Sequence, residues 1–178
     1  RGQGGVACYT QQAGVVRVTG VTPKGLVIGR YGNLAEYVMQ GGLLHFKDMV
    51  VEYDPSTMAR FVQYGGTVSN ESLGHVYLGY ATKCTNAYYC QYGGTSFVNE
   101  LVVGRNIGSM GHCIVTNGVL RAQTIIAPMN VPGAVADVQV SGSGVIVADV
   151  IRLGYVHGAV AGGWATNIWL ARKILALR

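Results

Sequence analysis

Residues 43–55 read LLHFKDMVVEYDP and residues 73–84 read LGHVYLGYATKC. Successive side chains of a strand point to opposite faces. In the first segment Leu44, Phe46, Asp48, Val50 and Glu52 therefore share one face, and His45, Lys47, Met49, Val51 and Tyr53 the other. Neither face is purely apolar, which predicts protein contact on both sides. The second segment alternates His75, Tyr77, Gly79 and Ala81 against Val76, Leu78, Tyr80 and Thr82. Pro55 ends the first strand because it has no N–H to give a ladder. Two strands joined by a loop over residues 56–72 read as an antiparallel pair, and the rest of the chain is organised around it.

Working outward, β-branched runs bounded by Gly and Pro predict strands at residues 15–19 and 26–28. Further strands are expected at 96–103, 112–116, 119–126, 135–140, 145–153 and 155–161, and the apolar run 165–177 fits either a strand or a short helix. Two short helices are expected, at 33–39 with Asn33 as cap and Gly41-Gly42 as stop, and at 56–62. The reading finds no internal repeat and no linker. Eight to ten short strands with little helix predict an all-β fold, an antiparallel sandwich or barrel with one or two short helices. Residues 1–178 form a single domain in this reading, with 1–13 as the remnant of an extended arm and no signal-peptide pattern in Arg1-Gly2-Gln3-Gly4-Gly5.

Composition narrows the classes. Apolar residues make up 49% of the chain and charged ones 12%, about half the usual charged share of ~25%. So thin a polar surface predicts a chain that either assembles or meets a membrane. The net charge of +5 suits contact with a polyanion, although the basic residues are scattered rather than clustered. The four cysteines, Cys8, Cys84, Cys90 and Cys113, are irregularly spaced and read as small buried side chains. No uncharged apolar run reaches the ~18 residues of a membrane helix, so no membrane partner is expected.

Few residues suggest chemistry. A chymotrypsin-like cysteine protease would use Cys113 with His45 or His157, but Ile114 stands where such enzymes place the glycine of the oxyanion hole. Cys84, Cys90, His112 and Cys113 lack zinc-site spacing. Asp54, Asp137 and Asp149 are conceivable ligands for a calcium ion between subunits. Solvated loop acids are the simpler reading of those three, and the expectation is no enzyme and no cofactor.

The organising pair resembles strands C and D of the jelly-roll shell domain of small icosahedral plant viruses of the tombusvirus and sobemovirus type. Phe46, Met49, Val50, Glu52, Tyr53 and Pro55, then Gly74, Val76, Leu78 and Tyr80, match that pattern. The end of the chain, from Gly154-Tyr155 through Gly162-Gly163 to Ile168-Trp169-Leu170-Ala171-Arg172, is similar to the closing hairpin of those shells. The resemblance implies an antiparallel eight-stranded jelly-roll sandwich, and a viral coat protein that assembles with copies of itself into an icosahedral capsid around nucleic acid, single-stranded RNA, and so resides in the virion. Under it, Arg1, Arg17, Lys24, Arg30 and Arg60 face the nucleic acid, and Tyr88, Tyr89 and Tyr92 lie at subunit interfaces. The alternatives are the cysteine protease and a non-viral β-sandwich binding module.

Overall fold

The computed structural model describes residues 5–20, 25–129 and 131–155. Among these the chain winds as a ribbon of parallel strands, six coils stacked one on the next. Coil 1 holds β1 (Val6–Gln11), β2 (Val15–Val18) and β3 (Leu26–Ile28). Coil 2 holds β4 (Leu34–Met39), β5 (Leu43–Phe46) and β6 (Met49–Val51), and coil 3 holds β7 (Met58–Gln63), β8 (Thr67–Asn70) and β9 (His75–Leu78). In coils 4 to 6 the second and third strands fuse: β10 (Ala87–Gln91) precedes β11 (Thr95–Val103), β12 (Met110–Val115) precedes β13 (Val119–Met129), and β14 (Val135–Val140) precedes β15 (Val145–Tyr155).

Every strand pairing is parallel and joins one coil to its neighbour. One six-stranded sheet, β1-β4-β7-β10-β12-β14, forms face one. The other strands form a single folded sheet whose two arms are face two and face three. The architecture is a parallel β-solenoid.

This overturns the antiparallel jelly roll and, with it, the resemblance to a viral shell domain. The segment 43–55 is two strands, β5 and β6, interrupted at Lys47-Asp48, and β6 runs parallel to β9 with Met49 beside Val76 and Val51 beside Leu78. The expected helices at 33–39 and 56–62 are strands β4 and β7, and no helix occurs among the described residues. Residues 6–11, assigned to the arm, are β1, paired with β4. The expected strands beyond residue 155, the matched closing hairpin, and Arg1, Lys24 and His157 lie outside the described residues.

The chain does repeat internally. QYGGT occurs at 63–67 and again at 91–95, and the two copies stack directly, Gln63 on Gln91 and Thr67 on Thr95. MQGGL at 39–43 and VTNGV at 115–119 occupy the same corner of neighbouring coils. Val6 stacks on Leu34, Leu34 on Met58, Ala59 on Ala87, Ala87 on Gly111 and Gly111 on Ala136, giving intervals of 28, 24, 28, 24 and 25 residues.

The corner dictates its glycines. Gly14, Gly42, Gly66, Gly94 and Gly118 all have φ between 74° and 88°. A Cβ on Gly42 would sit 2.3 Å from the Gly14 carbonyl oxygen, and one on Gly66 2.5 Å from that of Gly42. Only glycine fits both the left-handed backbone and the close approach of the coil above. Buried amides brace the turn beneath. Gln63 Nε2 donates to the Gly66 and Thr95 carbonyls at 3.2 and 3.3 Å, and Gln91 Nε2 to those of Gly94 and Val119 at 3.1 Å each.

Inside, side chains from each coil stack in columns. Tyr9, Tyr37, Phe61 and Tyr89 form an aromatic column with centroid spacings of 4.9, 5.6 and 5.0 Å. Ser96 interrupts the aliphatic column of face two, and its hydroxyl is satisfied. It lies 2.7 Å from the Tyr89 hydroxyl and donates to Gln63 Oε1 at 2.7 Å.

Candidate ligand-binding face

Face three carries the densest group of chemically active side chains. Asp48 precedes β6, His75 begins β9, and Glu100 follows the bend in β11, so the coils stack them although they are far apart in sequence. His75 is held between the two acids: Nδ1 lies 3.3 Å from Asp48 Oδ1, and Nε2 lies 3.6 Å from Glu100 Oε1. The His75 backbone N–H also donates to Asp48 Oδ1 at 3.0 Å. The imidazole stacks on Tyr77, two residues on along the same side of the strand, at 5.2 Å and 12°.

A cationic and aromatic row continues from there along the solenoid axis. The Arg105 guanidinium lies 4.9 Å from the Tyr77 ring centroid and 4.3 Å from that of Tyr80. Tyr80 stacks on Tyr53 at 5.1 Å, and Arg30 covers Tyr53 at 5.0 Å. The row therefore runs Arg30, Tyr53, Tyr80, Arg105, with a guanidinium at each end and two stacked rings between them. Burial pushes the Tyr77 hydroxyl up to about 12, with Arg105 opposing the shift; it is a neutral donor at physiological pH.

These groups border a cleft of about 310 Å³ whose lining includes His75, Tyr77, Glu100, Arg105 and Arg152. Its floor is apolar. Val102 and Ile126 alternate with the core residues Leu101, Val103, Ile125 and Ala127, so they point outward, yet they are only 1% and 4% exposed. An apolar floor with a few convergent polar groups is the usual make-up of a small-ligand site, and the volume is at the lower end of that range.

The residues expected from sequence do not form one surface. Arg17 stands on face two above His45, Arg30 belongs to the face-three row, and Arg60 lies on face one, 3.9 Å from Glu36. Tyr88 is on face one, stacked on His112 at 4.4 Å and 6°, with His112 Nδ1 3.0 Å from Asp137 Oδ2. Tyr89 is a core residue, 1% exposed, so its ring is unavailable to a subunit interface. Tyr92 lies at the corner, 40% exposed and stacked on Tyr64.

The cysteine-protease alternative loses its geometry. Cys113 is fully buried in the core of coil 5, its thiol pushed up to about 12 by that burial, the opposite of an activated nucleophile. His45 is three coils away on face two, bound to Ser69 at 2.9 Å. Asp54, Asp137 and Asp149 are dispersed, and among the described residues no group of three or more His, Cys, Asp or Glu is placed to hold a metal ion. Sequence reasoning missed Asp48, His75, Glu100, Arg105 and Arg152. The signal was the recurrence itself: 48, 75 and 100 are 27 and 25 residues apart, the solenoid period.

No protein-family model matches the chain, and neither the curated proteins nor the solved structures yield a match.

Proposed function

We propose that the protein is a binding solenoid that holds an acidic glycan in the face-three cleft. The composition of that cleft carries the reading. A pyranose ring has an apolar face and a rim of hydroxyls, and a uronate adds a carboxylate. The partly exposed Met129 side chain suits the ring face, Arg105 and Arg152 the carboxylate, and His75, Glu100 and the Tyr77 hydroxyl the rim. Charge-assisted bonds to guanidinium are the strong ones and favour planar anions.

Nucleic acid is the polyanion expected from sequence, and the support for it is weaker. Arg17, Arg30 and Arg60 are dispersed over the faces rather than forming a stripe along a backbone track.

The test is calorimetric titration with a glucuronate-containing oligosaccharide, a neutral glucose oligosaccharide of equal length and single-stranded RNA. The acidic glycan should bind selectively, and Arg105→Ala should weaken it roughly 10- to 100-fold, the worth of a hydrogen bond to a charged group. Equal affinity for the neutral glycan, or binding of RNA alone, would overturn the reading.

One observation favours a second reading: an imidazole aligned between two carboxylates is suited to proton transfer. Acid–base cleavage of the bound glycan would then follow binding. Recovery of shortened glycan, with one water consumed per bond cleaved and the rate at saturating glycan lost in Glu100→Gln, would assign catalysis; intact glycan would leave binding alone.

A further inference from the structure

We infer that the site continues across the bend onto face two and takes a neutral sugar there, next to the acidic one; this rests on the glycan reading above. A second groove, of about 330 Å³, runs along the other side of the bend. The same three strands line both depressions. On β11, Phe97 and Asn99 border the groove and Glu100 and Val102 the cleft; on β13, Arg121 and Gln123 border the groove and Ile126 the cleft; on β15, Asp149 borders the groove and Arg152 the cleft. Phe97 and Glu100 are three residues apart, about 10 Å at a strand's rise, so one short oligosaccharide spans the two.

The groove differs from the cleft in two ways that select its occupant. Phe97 is a large aromatic left 46% exposed, a flat apolar platform for a ring face. Its charges do not favour an anion. Arg121 is offset by Asp149, and Glu71 adds a further acid, 3.9 Å from His45. A carboxylate placed there meets net negative charge, whereas a neutral ring offers hydroxyls to Asp149, Gln123 and Asn99. The matched ligand carries an anionic unit beside an uncharged one.

Chemical-shift titration of the intact chain with glucuronate, and with a tetrasaccharide alternating glucuronate and N-acetylglucosamine, tests this. The tetrasaccharide should bind at least about tenfold tighter and shift the Asn99 and Gln123 side-chain amides, which glucuronate leaves in place. Phe97→Ala, an exposed site whose melting temperature verifies folding, should lose that gain and keep glucuronate affinity; Arg105→Ala should weaken both ligands. A tetrasaccharide no tighter than glucuronate, or unchanged by Phe97→Ala, would overturn the extension and leave the cleft reading intact. Failure of the wild-type chain to bind either ligand would overturn both.

Discussion

Glu52 shows how much a single position can hold. It sits in the left-handed region, φ 62°, at a corner where other coils place Gly29, Gly79, Gly104 and Gly154, a conformation that costs a non-glycine residue ~1–2 kcal/mol. Its carboxylate is fully buried and accepts the backbone N–H groups of Asn86 at 2.7 Å and Thr85 at 3.2 Å. Burial pushes this carboxyl up to about 7 from 4.5, against the pull of those two bonds. In the unfolded chain the group loses its proton at lower pH, so folding disfavours its ionised form. The stabilisation is fully present below about pH 4.5 and is lost as pH rises through about 7, up to ~3 kcal/mol in all. Urea unfolding at pH 5 and pH 8 should show that decline, and Glu52→Gln should flatten it; equal slopes in the two proteins would contradict the assignment. The glycine corner makes a second prediction. Gly66→Ala and Gly108→Ala both place alanine at positive φ, but only the first drives a Cβ to 2.5 Å from a backbone oxygen, while the second meets a lysine side-chain carbon at 3.6 Å. Gly108→Ala should cost ~1 kcal/mol and Gly66→Ala ~3 kcal/mol or more, as read by chemical denaturation.

At the scale of the element, the coil corner behaves as a unit of buried amide, glycine turn and stacked neighbour. Replacing Gln63 with leucine strips the donors from the Gly66 and Thr95 carbonyls and the acceptor from Ser96, which should destabilise by ~2–4 kcal/mol. Thermal unfolding of Gln63→Leu and Ser96→Ala beside the double variant Gln63→Leu/Ser96→Ala checks this. The Ser96 hydroxyl keeps its contact with the Tyr89 hydroxyl in Gln63→Leu, so the double variant should lose less than the sum of the two single losses, and additive losses would contradict a shared network. Strand positions were largely legible in the sequence: the runs at 15–18, 26–28, 135–140 and 145–153 are all strands. Pairing was not, because alternation of side chains is the same in parallel and antiparallel strands. The information lay in recurrence at 24 to 28 residues, and identity survives only where the corner demands it, as in the two QYGGT copies. Elsewhere a column keeps only its apolar character, as in Phe61, Tyr89 and Cys113 of face one. The segments 33–39 and 56–62 satisfied local helix signals, and stacking between coils overrode them. The candidate site was invisible for the same reason: His75 and Glu100 become neighbours only once the period is known.

For the molecule as a whole, a solenoid is nearly one-dimensional, each coil gaining its stability from its neighbours. Among the described residues β1, β2 and β3 each pair on one side only, with β4, β5 and β6, and Val6, Tyr9 and Val15 there are 72%, 52% and 60% exposed. Among the described residues β14 and β15 likewise pair on one side only, with β12 and β13, so amide exchange should be slowest in β7, β10 and β12, which are paired on both sides, and faster in the strands paired on one; uniform protection would argue for a globally cooperative sandwich. The parallel stack is also what brings Asp48, His75, Glu100 and Arg105 to one cleft, so the functional reading stands or falls with it. The most direct test is a nuclear Overhauser map of the segments that first suggested a hairpin. The solenoid predicts Met49 beside Val76 and Val51 beside Leu78, with His75 beside Glu100 and Gln63 beside Gln91. The reversed pairing, Met49 beside Leu78 and Val51 beside Val76 with close Hα–Hα contacts between the strands, would restore the antiparallel sheet and contradict the account.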